Sequence, residues 1–472
     1  DDSQTLANDA ISWYPSSNQI TFIRAITSCR SLLFHASTGT YSSPVSTEIP
    51  LTPTNFTLIE QNKFGVSNTQ PVFIDNQIIY TDYSNNNVIN MIWEITQSSY
   101  VTNNKSVPSS LLINHPTDMA ALATPDFTDG FYVIFVNADG TVAVLQTLHE
   151  ENVAAFSLQN TISYQSNGVT SNNTPGIFYR VTNGNDRCWF TVQRQMPIAQ
   201  APVAITGATV GNPGLILAPA HGMVVGVPTM ITFTGAPLVT TVPPISTTAY
   251  FWALAVDANN FGVFATQADA LAVVNEFNVI AFNGPGSNVV VWVLTAQLFV
   301  EELDFTVDMD SVTKFKSAAP TNVVTGLAHL NGEFVQVVAD GFVLSNNTVV
   351  NGQILLDNGF LALNVQVGLQ FVASLMALPI TIPQTFGLLY RPKHIRNMYL
   401  QVYNTLGITV QGITVPELQI QNIVFNQVPI PQTGVFEVPL MEGWNSFQFD
   451  IVIQQPLPLP MTILALSYRV EV

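Results

Sequence analysis

Strand-length apolar runs, each closed by Asn, Gly, Asp or Pro, recur from one end of the chain to the other. In "HLNGEFVQVVADG" (residues 329–341) an Asn-Gly pair leads into an alternating run that stops at Asp-Gly. In "GFYVIFVNADGTVAVLQTL" two such runs meet across "NADG" (137–140), a hairpin by turn chemistry. "QITFIRAI", "PVFIDNQIIYTD", "NVINMIWEI" and "RCWFTVQR" follow the same rule. Period-two runs punctuated by turn formers have no stable helical arrangement. Helical spacing is confined to "QADALAVVNEF" (267–277) and "SLMAL" (374–378). The fold class is therefore all-β.

A chain of 472 residues exceeds one ordinary core, so two to four domains are expected. Hydrophobic residues make up 47% and charged residues 9%, against roughly 25% charged in an ordinary soluble protein. Gln, Asn, Ser and Thr replace the missing charges, a balance suited to a surface that lies against other subunits. The most apolar stretches, 361–382 and 214–244, are broken by Asn364, Gln366, Gln370 and Pro379 or by Pro219 and Pro228. No membrane span is expected. The opening "DDSQTLANDA" is neither a signal peptide nor a start methionine, so the chain is expected to begin part-way through a longer product. Cys29 and Cys188 form no metal or CxxC spacing and read as isolated buried thiols rather than a disulfide.

The formal charge is −18, with 13 Lys and Arg in all. Duplex binding through phosphates requires clustered cations, and the one local cluster is "RPKHIR" (391–396). This composition instead suits a surface that DNA slides past, since like charges repel.

Recurrent strands over 18–196 imply short antiparallel sheets, in a sandwich or in propeller blades; no WD or kelch repeat decides between them. Residues 199–296 change character: almost free of charge and rich in Ala, Val, Thr, Pro and Gly, they read as an inserted small β-module. The expected organisation is propeller strands over 1–198, the insert over 199–296, a return over 297–326, a β-platform over 327–380 and a C-terminal β-domain over 381–472.

Several segments, in order, resemble one family, the tail nozzle (tail tubular protein B) of short-tailed bacteriophages. They are "NKFGVSNTQPVFIDNQIIYTD" (62–82), "MIWEI" (91–95), "PTDMAAL" with "GFYVIFVNADGTVAVL" (116–145) and "RCWFTVQRQ" (187–195). "LAHLNGEFVQVVADG" (327–341), "VVNGQILLD" (349–357), "RPKHIRNMYLQVYNTLGI" (391–408) and the stretch 437–472 complete the set. The likeness covers most of the chain outside the insert. It implies a six-fold ring of β-propeller subunits, a homohexamer on a virion tail, whose lumen is the genome's exit path. It also implies contact with a tail adaptor ring and neighbouring tail or fibre proteins, and an amino-terminal portion that would complete the propeller. The insert resembles a β-module of phage structural proteins through "PAHGMVVGVPTMITFTG" (219–235), departing from its pattern at Pro228 and Thr229.

Acidic residues gather in "EELDFTVDMD". On one continuous strand Glu302 would share a face with Asp304, and Asp308 with Asp310. That suits a solvated or lumenal acidic stripe or a weak cation site better than carboxylates facing each other across a sugar. The histidines at 35, 115, 149, 221, 329 and 394 lack metal-ligand spacing. No GxSxG nucleophile motif occurs. "NADG" and "VADG" lack the alternating carboxylates of a calcium loop and read as hairpin turns. Arg391, Lys393 and Arg396 are candidates for an intersubunit salt bridge, with a solvated strand or a phosphate contact as alternatives. No catalytic, cofactor or metal residues are assigned. The expected function is that of a structural, non-enzymatic nozzle subunit for genome ejection. The alternatives are a tail-associated carbohydrate-active enzyme and a receptor-binding module built on the insert.

Overall fold

The computed structural model describes residues 9–11, 21–43, 52–123, 130–148, 153–164, 174–184, 187–235, 239–245, 249–282, 284, 286–376, 394–415, 428–440 and 451–471. The chain is all-β apart from a short helix and three 3₁₀ turns among these residues. It divides into two compact units, one of residues 1–163, 175–195 and 296–303, the other of 164–174, 196–295 and 304–472.

The first unit begins with three antiparallel meanders of four strands each. The first holds β1 (Ile23–Ser28), β2 (Leu32–Ala36), β3 (Thr40–Ser43) and β4 (Ile59–Asn62). The second holds β5 (Val72–Ile74), β6 (Gln77–Thr81), β7 (Val88–Glu94) and β8 (Ser99–Asn104). The third holds β9 (Asp118–Ala123), β10 (Phe131–Val136), β11 (Val142–Leu148) and β12 (Val153–Gln159). A two-stranded pair, β13 (Ile162–Tyr164) and β14 (Thr174–Pro175), precedes the hairpin of β15 (Ile177–Gly184) and β16 (Arg187–Ala199).

Alternate residues of one strand serve different cores, because successive side chains of a strand point to opposite faces. In β6, Ile78 and Tyr80 pack with Leu33, Val66, Ile89 and Met91, while Ile79 packs with Val133, Phe135 and Leu145. In β10, Val133 and Phe135 join that second cluster, and Ile134 and Val136 pack with Val181, Cys188, Phe190 and Val192. The second and third meanders are therefore buried on both faces, and their strands read as unbroken apolar runs for that reason. Each such fully buried side chain contributes about 1.5–3 kcal/mol relative to exposure.

Turn chemistry sets the register. Asp75 and Asn76 take φ of 51° and 54° between the paired Ile74 and Gln77, a two-residue turn of the kind that matches strand twist. At the β10–β11 loop, Asn137 donates to Leu112 O and Thr141 Oγ1, and Asp139 accepts from Thr141 N. Gly140 follows at φ 82°, where an added Cβ would stand 2.7 Å from Ile177 Cγ2.

In the second unit, residues 199–295 hold β17 (Val203–Ala204), β18 (Gly207–Thr209), β19 (Leu215–Leu217), β20 (Pro228–Thr234), β21 (Val239–Val242), β22 (Phe251–Ala255), β23 (Asn260–Phe264) and β24 (Asn278–Phe282). β25 (Asn288–Glu302) leads out of them. Ile231 and Phe233 of β20 face a core with Ile216, Phe251, Phe261 and Val289. Met230 faces the other way, toward Trp252 and Phe264, where Ala270 of the helix packs. That helix, α1 (Gln267–Ala272), is capped by Thr266, which accepts from Asp269 N. It is shorter than the helical spacing over 267–277 suggests, because Val273 adopts φ 54° and ends it. His221 shapes its turn: its Nδ1 accepts from Met223 N at 3.1 Å, so its Nε2–H donates to Asp257 O, also at 3.1 Å. Pro228 opens β20 opposite Leu254.

Downstream lie β26 (Asp310–Thr321), β27 (Val323–Thr325), β28 (Phe334–Ala339), β29 (Phe342–Thr348), β30 (Gln353–Leu355) and β31 (Ala362–Leu369). They form one four-stranded and one two-stranded sheet. The β28–β29 hairpin is the one expected from residues 329–341, with Asp340 and Gly341 at φ 45° and 85°. The remaining strands are β32 (Ala373–Met376), β33 (His394–Thr405), β34 (Ile408–Val410), β35 (Ile413–Val415), β36 (Gln432–Pro439), β37 (Val452–Gln455) and β38 (Ile463–Glu471). Two sheets, β32-β37-β34-β35 and β36-β33-β38, enclose Met398, Leu400, Val402, Ile408, Val438 and Ile453. Ser374 to Met376 of "SLMAL" lie in strand β32 rather than in a helical turn, paired with Val452 to Gln454; the rest of that stretch, like the boundary at 381, lies outside the described residues.

No helix among the described residues is long and apolar enough to cross a membrane. Cys188 is buried, which pushes its thiol up to about 12, whereas Cys29 is only half-buried; both are free.

Candidate functional site

The acidic stretch is not one strand. β25 ends at Glu302 and β26 begins at Asp310, with a turn and a bend between them. The side-by-side arrangement expected of Glu302 with Asp304 and of Asp308 with Asp310 is thereby corrected. The physical cause lies in Asp304, whose Oδ1 accepts from Thr306 N at 2.9 Å and from Thr306 Oγ1 at 2.7 Å, a local turn that competes with strand pairing.

Each carboxylate before the bend meets a cation of its own chain. Glu301 receives Nε and Nη2 of Arg194, both at 2.6 Å, and Arg194 also donates to Ile162 O. Glu302 stands 3.2 Å from Arg187. Asp304 stands 2.5 Å from Lys314 Nζ; the hydrogen bonds from Lys314 and Thr306 hold its carboxyl down at about 2. Asp308 is exposed on the bend, and Asp310 opens β26 opposite Leu369. Among the described residues no group of three or more His, Cys, Asp or Glu side chains is placed to hold a metal ion.

Of the basic trio, Arg391 and Lys393 lie outside the described residues. Arg396 is on β33, 3.5 Å from Glu471 of β38, with His394 at 3.7 Å from the same carboxylate. More than half of the Arg396 side chain is exposed. Other cations are engaged too: Arg24 lies over the Tyr83 ring and Arg30 over Trp93. A cation already held against a carboxylate or a ring offers little to a phosphate backbone.

A cavity of about 240 Å³ beside the β10–β11 loop is lined by Leu111, Leu112, Asn114, Asn137, Asp139 and Leu158. Its polar groups bond to one another: Asp139 accepts from Asn114 Nδ2 at 2.9 Å and from Thr141 Oγ1 at 2.7 Å. Those bonds hold the Asp139 carboxyl below the usual range against the opposing pull of burial. The cavity's carboxylate thus serves the hairpin.

Sequence reasoning did not identify Arg194 as the buried partner of Glu301. The available signal was parity: Cys188, Phe190, Val192 and Arg194 occupy the inward positions of β16, so an arginine at the fourth requires a buried counter-charge.

The sequence matches no known protein-family profile and no curated protein.

Proposed function

We propose that this chain is a structural subunit of a short-tailed phage nozzle, a β-propeller-bearing protein that closes with identical copies into a ring through which DNA leaves the virion. One observation carries the reading most: three consecutive four-stranded meanders, the second and third buried on both faces. Propeller blades are four-stranded meanders stacked in this manner. The ordered sequence segments that resemble the nozzle family support it, as does the charge of −18, with Arg187, Arg194 and Lys314 among its few cations engaged by carboxylates of the chain itself. In a closed ring the bore is set by how identical subunits bury their sides, and a cation-poor wall lets a polyanion pass without arrest.

Electron microscopy of the purified chain and of virions that carry it tests this. Rings of about six copies at the far end of a short tail are the expected result. A monomer at all concentrations, absent from tails, overturns it.

A further inference from the structure

Two Asn-Gly pairs of the second unit meet in space. Asn331-Gly332 lies between the 3₁₀ turn Ala328–Leu330 and β28, and Asn351-Gly352 joins β29 to β30. Asn-Gly is the dipeptide most prone to deamidation, because glycine has no side chain to shield its nitrogen from the carboxamide before it. The chemistry needs water alone. The glycine nitrogen gives its proton to hydroxide and attacks the asparagine Cγ. The N–Cγ bond forms, the Cγ–Nδ2 bond breaks, and ammonia leaves with a proton returned from water. Water then opens the cyclic imide, at Cγ to give aspartate or at the main-chain carbonyl to give isoaspartate, which adds one carbon to the backbone.

Of the two, Asn351 is the one that solvent reaches. It is exposed at the tip of a two-residue turn, at φ 52° with Gly352 at φ 72°, and Val350 and Gln353 exchange hydrogen bonds of 2.9 and 3.1 Å across it. Its nucleophile is nonetheless held. Gly352 N donates to Asn331 Oδ1 at 2.5 Å, and Gly352 O accepts from Leu327 N at 3.0 Å. Both sides of the glycine are thus tied to the segment before β28. A nitrogen whose proton is committed to an acceptor must break that bond before it ionises, and must then turn toward Cγ. At Asn331 the corresponding nitrogen belongs to the buried Gly332 and donates to Val349 O at 2.9 Å.

We propose that Asn351 is a latent self-modification site, a deamidation site that the folded chain keeps unreacted through Asn331 and releases when the two turns separate. Separation of this kind is a local opening, which needs no global unfolding. The product carries one more negative charge on a chain already at −18. In its isoaspartate form it also lengthens a turn whose two ends are paired, so that Val350 and Gln353 lose their register. Opening is thereby recorded in the covalent chain, and reclosing does not erase the record.

The test follows Asn351 by peptide mass mapping of the intact chain held at mildly alkaline pH. The folded native chain should convert Asn351 at least tenfold more slowly than the same chain unfolded in urea. Asn331→Ala should raise the folded rate at least tenfold with unchanged circular dichroism, and Asn331→Asp, which keeps an oxygen acceptor for Gly352 N, should stay slow. Hydrogen exchange at the Gly352 amide gives a second readout, protected in the native chain and in Asn331→Asp but not in Asn331→Ala. Equal rates for the folded and unfolded native chain, a rate unchanged by Asn331→Ala, or an Asn331→Asp rate as fast as that of Asn331→Ala overturns the proposal. Should Asn331→Ala fail to fold, the native chain and Asn331→Asp decide, and an unprotected Gly352 amide in either overturns it. None of these readings depends on whether the chain forms a ring.

Discussion

Arg194 meets Glu301 with two parallel N–H···O bonds of 2.6 Å, and only 4% of the arginine side chain is exposed. The geometry is that of a strong, charge-assisted fork. Removing one partner strands the other. Arg194→Ala or Glu301→Gln is expected to destabilise the first unit by about 3–5 kcal/mol, and the paired change Arg194→Met with Glu301→Leu to restore most of it. Urea unfolding followed through Trp189 fluorescence, on the same strand as Arg194, measures this. Equal losses for the single and paired changes would show that packing, not stranded charge, is what the site supplies.

His35 gives the first unit a pH dependence. It is fully buried in β2, between Thr27 Oγ1 at 2.8 Å and Thr40 Oγ1 at 3.2 Å, with its ring 5.6 Å from Tyr80. Burial lowers its pKa from 6.5 to about 4. Between those values the unfolded chain binds the proton and the folded chain does not, so stability rises with pH. The contribution is complete above pH 6.5 and is lost as pH falls to 4, by about 3 kcal/mol. Unfolding midpoints at pH 7, 5.5 and 4 should show this slope, and His35→Asn should flatten it.

Much of the β architecture could be read from the residues, for reasons visible in single turns. Asp75-Asn76 and Asp340-Gly341 each take two left-handed residues between paired strand ends, a conformation few other residue pairs tolerate. What escaped depends on tertiary partners. The run Ile78, Ile79, Tyr80 shows that β6 is buried on both sides but not which sheets bury it. The acidic run fits a strand by alternation, and only the turn at Asp304 and Thr306 breaks it. Val273 ends α1 in a left-handed conformation that β-branched residues rarely adopt, so its position carried no warning.

The Asp304–Lys314 pair tests how far surface ion pairs shape this chain. Hydrogen bonds from Lys314 and Thr306 hold the Asp304 carboxyl at about 2. A depressed carboxylate stabilises the fold above its unfolded pKa, and that stabilisation fades as pH falls toward 2. Lys314→Gln should raise the Asp304 titration midpoint, read by NMR, yet change stability at neutral pH by less than about 1 kcal/mol, because both side chains are partly solvated. A larger loss would give the pair a structural weight that its exposure argues against.

Gly341 separates backbone strain from crowding. It sits at φ 85° in the β28–β29 turn, and an added Cβ would stand 2.9 Å from Val428 Cγ1. Its turn partner Asp340 accepts from Leu363 N at 3.0 Å and Asn364 N at 2.9 Å, fastening the hairpin tip to β31. Gly341→Ala meets both penalties, the left-handed cost of about 1–2 kcal/mol and the clash with the valine. Gly412, at φ 81° in the β34–β35 turn, has no atom within 4 Å of an added Cβ, so Gly412→Ala meets the first penalty only. Gly341→Ala should therefore be the more destabilising, and adding Val428→Ala should bring it back toward the Gly412→Ala value. If the second change recovers nothing, the backbone conformation alone accounts for the glycine, and the contact with Val428 is incidental.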